Sequence, residues 1–159
     1  MDTQVVEIIG QHYLIDQLLQ SGIEVAVPVR DHGIDLVAYV DQSEFHATPI
    51  QVKVSSSRSF AIDRKYQKFP NLLLVYVWNV AIDEEPEVYA LTYAEAQTVG
   101  TDLGWTKTES WKKGKYVTSS PSQDPIRALQ EYRVEPGQWK ERLTRGPVFR
   151  HRDDVALSG

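Results

Sequence analysis

The chain has no cysteine, so disulfide bonds, thiolate metal sites and cysteine nucleophiles are all excluded. It also lacks any apolar run approaching the roughly 20 residues that a membrane-spanning helix needs. The opening residues, MDTQVVEIIG, have neither the basic nor the apolar region of a signal peptide. We therefore expect a cytoplasmic protein with no membrane partner.

An excess of positive charge is missing too, since the formal net charge is −5. Nonspecific affinity for nucleic acid comes mainly from Lys and Arg at phosphates, so this balance argues against a generic polyanion binder. The charge is uneven, however: residues 1–54 hold eight acidic and two basic residues, whereas residues 105–150 hold ten basic and five acidic ones. This segregation suits a metal site beside a phosphate-contacting surface, with ordinary surface variation as the alternative.

The length of 159 residues and the apolar content of 42% indicate one folded domain with a substantial core. We expect that domain to span residues 1–150, with a core over 5–100 and an extension over 101–150. Residues 151–159 are expected to form a flexible tail.

The apolar pattern predicts alternating helices and strands. Helical spacing over residues 5–20 ends at Ser21-Gly22. The strands predicted next are 23–29, 34–40, 45–54, 72–80 and 88–93, of which 72–80 is apolar enough to be covered on both faces. Short helices are predicted within 61–69, 94–100 and the last third, and a hairpin over 105–119 around Lys113-Gly114. The fold class expected is therefore α/β with a mixed central sheet flanked by helices.

Three polar side chains stand inside apolar strands. Gln51 and Lys53 share one face of the strand IQVKV, and Asp35 enters the preceding strand after a Gly-Ile pair. If these two strands pair as a hairpin, Asp35 lies about one cross-strand step from Gln51 and Lys53. Carboxylate and amide oxygens are suitable ligands for Mg²⁺, and a neighbouring ammonium can hold an attacking water. A half-exposed strand with a polar face is the simpler alternative.

The first helix presents Glu7 and Gln11 one turn apart, in line with the apolar Ile15 and Leu18. The apolar half of this stripe should pack on the sheet. We then expect Glu7 or Gln11 to reach the metal or its waters, the alternative being a solvated helix start.

The segments GIDLVAY and PIQVK, preceded by a helix ending in LLQSG, resemble the PD-(D/E)xK nuclease superfamily over residues 5–80. The most similar members carry Q-x-K, as in Mrr-type restriction endonucleases and archaeal Holliday-junction-resolvase-like proteins. The resemblance implies a restriction-endonuclease-like αβββαβ core, to which this chain adds a C-terminal hairpin and helical extension.

It further implies a metal-dependent nuclease that hydrolyses DNA with Mg²⁺ or Mn²⁺, in repair, recombination or restriction. The implied metal ligands are Asp35, Gln51 and the Val52 carbonyl, with Lys53 as the catalytic lysine. The usual helix carboxylate falls at Gln11, and Glu7, one turn earlier, is the candidate ligand that would compensate for it. The implied substrate contacts are Ser55, Ser57, Arg58 and Lys65. DNA is the partner implied, without a small-molecule cofactor, and a homodimer is compatible with the resemblance.

The glutamines at 11 and 51 replace carboxylates that many members carry, and an amide oxygen adds no net charge at a metal. Two further hypotheses are therefore kept. One is a catalytically inactive domain of the same fold that binds nucleic acid or a protein, and the other is an interaction module. His32 is a further candidate substrate contact, and the tryptophans, Trp111 above all, are candidates for base stacking or for core packing.

Overall fold

The structure is a computed structural model that describes residues 1–41 and 44–147. The turn expected at Asp41–Glu44 falls partly outside these ranges, and the tail expected over 151–159 falls wholly outside them. Within them, the helices are α1 (Thr3–Gln20), α2 (Tyr93–Asp102), α3 (Glu109–Lys112), α4 (Gln123–Leu129) and α5 (Trp139–Arg145). The strands are β1 (Glu24–Ala26), β2 (Leu36–Asp41), β3 (Phe45–Val54), β4 (Phe60–Asp63), β5 (Leu73–Trp78), β6 (Glu87–Thr92) and β7 (Lys115–Thr118).

Five strands form a mixed central sheet in the order β1-β2-β3-β5-β6. The pairs β1–β2, β2–β3 and β5–β6 are antiparallel, and β3–β5 is parallel. Helices pack against this sheet, so the predicted fold class is confirmed. The predicted hairpin of β2 and β3 is also confirmed, with Leu36 opposite Ile50 at its open end.

Local sequence explains helix α1 and strand β5. The Asp2 carboxylate accepts the Gln4 N–H at 2.9 Å and caps the N-terminus of α1. Every residue of β5 is buried, as predicted for a strand covered on both faces.

The sheet separates two apolar clusters. One lies under α1 and contains Leu14, Leu18, Val75 and Trp139. The other lies on the opposite face and is rich in aromatic rings, including Tyr76 and the indoles of Trp78, Trp105 and Trp111. All four tryptophans are therefore core residues, with at most 9% of their surface exposed, which favours core packing over base stacking.

The segment between β3 and β5 contains a strand besides the short helix predicted within 61–69. Residues Phe60–Asp63 form a strand, and a single 3-10 helix follows over Arg64–Lys68. Phe60 and Ile62 are fully buried and alternate with half-buried neighbours, which is the two-residue period of a strand. The short helix predicted within 61–69 is therefore present over Arg64–Lys68, whereas the strand that precedes it was missed.

The predicted hairpin over 105–119 was wrong. Lys113 and Gly114 connect α3 to β7, and β7 pairs antiparallel with the distant β4 in a separate two-stranded sheet. Residues Trp105–Lys107 and Glu109–Lys112 form helical turns, in which Trp105 and Trp111 pack into the aromatic cluster. The first strand is shorter than predicted, at Glu24–Ala26. None of the helices in the described part of the chain is long and apolar enough to cross a membrane.

Candidate active site

Strands β2 and β3 separate at the open end of their hairpin, and Asp35 stands at the point of separation. Its main-chain N–H donates to the Ile50 carbonyl at 2.9 Å. Its side-chain Oδ2 accepts the Val52 N–H at 2.8 Å. The carboxylate thus replaces the next strand residue as the partner of β3, and both bonds fix its position.

The main chain of β3 adds a further oxygen at this edge. Both main-chain groups of a residue in an extended strand point to the same side. Since the Val52 N–H donates to Asp35, the Val52 carbonyl also faces the edge beyond the start of β2. This placement agrees with the role that the resemblance implies for Val52.

Gln51 and Lys53 follow on the face of β3 that is shared with the aromatic cluster. They lie beside Leu74 and Tyr76 of β5 in the parallel register. The Gln51 Oε1 atom is buried and has no hydrogen-bond partner within the described residues. A buried acceptor without a partner costs free energy, so it is a position where a cation or water would be stabilised.

Lys53 is held by Tyr66, a contact that local sequence patterns do not predict. Its Nζ donates to the Tyr66 hydroxyl at 2.9 Å, and it lies 5.0 Å from the centre of that ring. Tyr66 itself is 4% exposed. The hydroxyl of a buried ring thus holds the ammonium of Lys53, a residue that lines the cleft.

Helix α1 reaches the same place from the other face of the sheet. Glu7 and Gln11 both line the cleft with Asp35. The residue between them, Gly10, is buried against the γ-methyls of Val54, and a Cβ on Gly10 would lie 2.7 Å from Val54 Cγ2. The missing side chain at Gly10 is what lets α1 approach β3 closely enough to present both polar groups.

These elements enclose a cleft of about 390 Å³. It is lined by all five predicted catalytic residues, namely Glu7, Gln11, Asp35, Gln51 and Lys53. Periodicity, an assumed hairpin of β2 and β3 and the family resemblance together predicted this set, and the catalytic role of its members stays a prediction.

Asp31 also lines the cleft and was missed as a site residue. It caps a turn, because its Oδ1 accepts the Gly33 N–H at 2.9 Å. Gly33 has a φ of +93°, which favours glycine, and this turn delivers Asp35 to the strand. The sequence feature that could have identified Asp31 is its position across a tight turn from a second carboxylate, Asp35.

Burial raises the pKa of the Asp35 carboxyl above its usual value of 3.8. The Val52 N–H and the Lys53 ammonium oppose this rise, while the nearby Asp31 carboxylate adds to it. The cleft therefore holds three carboxylates and one ammonium, and a bound cation would relieve the repulsion among the acids.

The predicted substrate contacts are spread more widely. Ser55 lines the cleft, and its Oγ accepts the Ser57 N–H at 3.2 Å, while Ser57 is exposed. Arg58 forms an ion pair with Glu87 at 3.0 Å, and Lys65 lies 3.8 Å from Asp63. Their roles at a substrate stay predictions, as does that of the exposed His32.

The residues present fit a hard divalent cation. All candidate ligands are oxygens, from Asp35, Glu7, the buried Gln51 amide and the Val52 carbonyl, and this donor set suits Mg²⁺ or Mn²⁺. Among the described residues there is no group of three or more His, Cys, Asp and Glu side chains able to hold a metal. Amide and main-chain oxygens would therefore have to complete the ligand set.

Comparison with known proteins gives a structural alignment but no match by sequence. No protein-family model matches the chain, and no curated protein matches its sequence. A solved structure described as that of a bacterial homing endonuclease, I-Ssp6803I, aligns with a TM-score of 0.45 and 16% identity. The alignment covers 97% of this chain and 98% of that one. The function proposed next rests on the geometry of the cleft.

Proposed function

We propose that this protein is a metal-dependent nuclease that hydrolyses phosphodiester bonds of DNA in restriction, repair or recombination. The observation that supports it is the convergence of Asp35, Gln51 and Lys53 with Glu7 and Gln11 on one cleft. One sheet edge thus carries a carboxylate, an amide oxygen without a hydrogen-bond partner among the described residues, and an ammonium held by a hydrogen bond. These groups suit the hydrolysis of a charged ester better than the binding of an apolar ligand.

Asp35, Gln51, Val52 and Glu7 would hold Mg²⁺ or Mn²⁺. The bound metal would supply Lewis-acid activation of the phosphate and its water. Asp35 is held by two hydrogen bonds to the main chain of β3, one through its own N–H and one through its carboxylate, so it would position the ligand set without reorganisation.

Lys53 would act on the reacting groups themselves. Its ammonium donates to the Tyr66 hydroxyl through one hydrogen, which leaves two donors for the attacking water or a phosphate oxygen. Hydrolysis forms a bond between the water oxygen and phosphorus and breaks one ester P–O bond, and Lys53 would offset the charge that develops in between.

The experiment is cleavage of plasmid and linear duplex DNA with Mg²⁺, with Mn²⁺ and with EDTA, for the wild type, Asp35→Asn and Lys53→Met. We expect divalent-dependent cleavage that falls by at least about a hundredfold in each variant. The exposed Lys140→Met serves as the matched control for Lys53→Met. Cleavage that persists in EDTA, or that survives both substitutions in the cleft, would contradict the site.

The alternative is a catalytically inactive domain of the same fold. The amides at Gln11 and Gln51 favour it, because they leave fewer charges to hold a metal. Titration calorimetry with Mn²⁺ separates the two: heat of binding that disappears in Asp35→Asn supports the nuclease, and no binding with or without DNA supports the inactive domain. The homodimer stays a prediction from the resemblance.

A further inference from the structure

A strongly basic surface lies beside the cleft, on the aromatic-cluster side of the sheet. The segments 63–69 and 109–115 hold six basic and two acidic residues, for a net charge of +4 in a chain of net charge −5. All six cations are exposed. We call this surface the basic platform, and its cations are Arg64, Lys65, Lys68, Lys112, Lys113 and Lys115.

The two segments form one continuous surface. The Arg64 N–H donates to the Gly114 carbonyl at 2.8 Å, and Asp63 is opposite Lys115 in the β4–β7 pairing. The guanidinium of Arg64 lies 5.6 Å from the ring centre of the buried Trp111. The long-range pairing of β4 with β7 thus joins cations that are about 50 residues apart in the chain.

The basic platform is linked directly to the cleft. Lys65 Nζ lies 5.0 Å from the ring centre of Tyr66, whose hydroxyl accepts a hydrogen bond from Lys53. On the same strand as Asp63, Ala61 lines the cleft. Tyr66 thus contacts both Lys53 of the cleft and Lys65 of the basic platform, so the two cations lie beside one buried ring residue.

The cleft itself is a poor binder of an anionic polymer. Its three carboxylates outnumber its one ammonium, so a phosphate entering it is repelled until a cation is bound. Affinity for DNA must therefore come from outside the cleft. Because screening limits exposed charges to a range of about 8 Å at physiological salt, the local +4 matters more to a bound backbone than the distant negative charge.

We propose that the basic platform binds the phosphate backbone of duplex DNA and so places one phosphodiester in the cleft. This inference rests on the proposed function and names the surface that holds its substrate. The two acidic residues of the platform, Asp63 and Glu109, lie 3.8 Å from Lys65 and 3.2 Å from Lys112. At least one partner of each pair is largely exposed, so the pairs are weak and the platform stays strongly basic. Lys113 and Lys115 are therefore the most direct targets for mutation.

The test is fluorescence anisotropy with a labelled 20-base-pair duplex in EDTA, over a range of salt concentrations. For Lys113→Gln/Lys115→Gln we expect on the order of tenfold weaker binding and a salt slope smaller by about two. Lys113→Glu/Lys115→Glu should weaken binding further. The matched control is Lys140→Gln/Arg145→Gln, which removes the same charge from α5 on the other face of the sheet.

DNA binding that is unchanged in both platform variants, or equally reduced in the control, would contradict the proposal that the platform binds DNA. Because EDTA removes divalent metal, this measurement does not depend on cleavage. If the chain binds DNA through the platform but does not cleave it with Mg²⁺ or Mn²⁺, only the proposed nuclease activity is overturned. If the chain cleaves DNA but the salt dependence of binding is the same in the wild type and the platform variants, this inference alone is overturned.

Discussion

Gln51 contributes a neutral amide, where a carboxylate would add negative charge to the cleft. Its Oε1 is buried in the cleft without a partner among the described residues, and it lies two residues from Lys53 on the same strand face. An amide oxygen can coordinate Mg²⁺ or Mn²⁺ but brings no charge. Affinity for these metals depends strongly on the number of charged ligands.

If Gln51 is a ligand as proposed, Gln51→Glu should tighten Mn²⁺ binding by on the order of tenfold, because it adds a carboxylate at that position. Titration calorimetry measures this directly. Gln20→Glu, at the exposed end of α1, is the matched control and should leave affinity unchanged. An unaltered or weaker affinity in Gln51→Glu would show that this side chain does not face the metal.

Asp35 gives a pH-dependent prediction. Burial raises the pKa of this carboxyl above 3.8, so the folded metal-free protein binds the proton more tightly than the unfolded chain. The free energy of unfolding must then fall as the pH rises from 3.8 through the folded-state pKa. Above that pKa the full cost of an ionised, partly buried carboxylate is present.

Asp35→Asn removes this cost and should raise the Tm of the metal-free protein at about pH 7.5, with the gain shrinking toward about pH 4. Thermal denaturation in EDTA at several pH values measures it. With Mn²⁺ present the order should reverse, because only the wild type gains stability from the bound metal. Asp16→Asn, exposed on α1, provides the control. A variant that is less stable than the wild type at every pH in EDTA would contradict the prediction.

At the scale of elements, the site depends on how closely α1 approaches β3. Gly10 makes this approach possible, because a Cβ there would overlap the γ-methyls of Val54. Glu7 and Gln11 lie on either side of this contact. The distance between helix and strand therefore controls how closely these two helix residues approach the metal ligands that we propose on the sheet.

Gly10→Ala should destabilise the protein by about 1–3 kcal/mol through overpacking, although alanine is the better helix former. It should also weaken Mn²⁺ binding, since Glu7 and Gln11 move with the helix. Urea denaturation and calorimetry measure the two effects, and the double variant Gly10→Ala/Val54→Ala should show strong coupling. Gly100→Ala, packed on Ile62 away from the cleft, should affect stability only. An unchanged stability in Gly10→Ala would refute the close contact.

At the scale of the whole molecule, the C-terminal part of the chain is tied into the core by a buried cation. Arg142 is 6% exposed, and its Nη2 donates to the Ala90 carbonyl at 3.1 Å and to Glu95 Oε1 at 3.0 Å. The same Glu95 oxygen accepts the Thr92 N–H in the capping box of α2. This network joins α5, β6 and α2.

Arg142→Ala should cost about 3–5 kcal/mol, because it leaves the Glu95 carboxylate partly buried without its cation. Arg133→Ala breaks an ion pair of the same 3.0 Å length with Glu135, but that pair is partly exposed and its loss should cost about 1 kcal/mol or less. Urea denaturation compares them. Equal and small losses would mean that the C-terminal segment contributes little to the stability of the core.

Periodicity was enough to predict α1, β3 and β5, because each carries its pattern within its own residues. The same is true of the alternation that places Gln51 and Lys53 on one face. The pairing of β4 with β7 and the ammonium–hydroxyl bond of Lys53 with Tyr66 had no local pattern. Both depend on contacts between segments distant in sequence, whose free energy no short window contains.

The sequence by itself determined the fold class, the hairpin of β2 and β3, and the residue types of the candidate site. These follow from hydrophobic alternation and from the rarity of charged groups in buried strands. Only the tertiary structure decided that Asp31 lines the cleft, that Gly10 brings α1 against Val54, and that cations from two segments form one surface. The physical reason is that sheet pairing and helix packing, which act between segments, set the distances between groups that the chain itself keeps far apart.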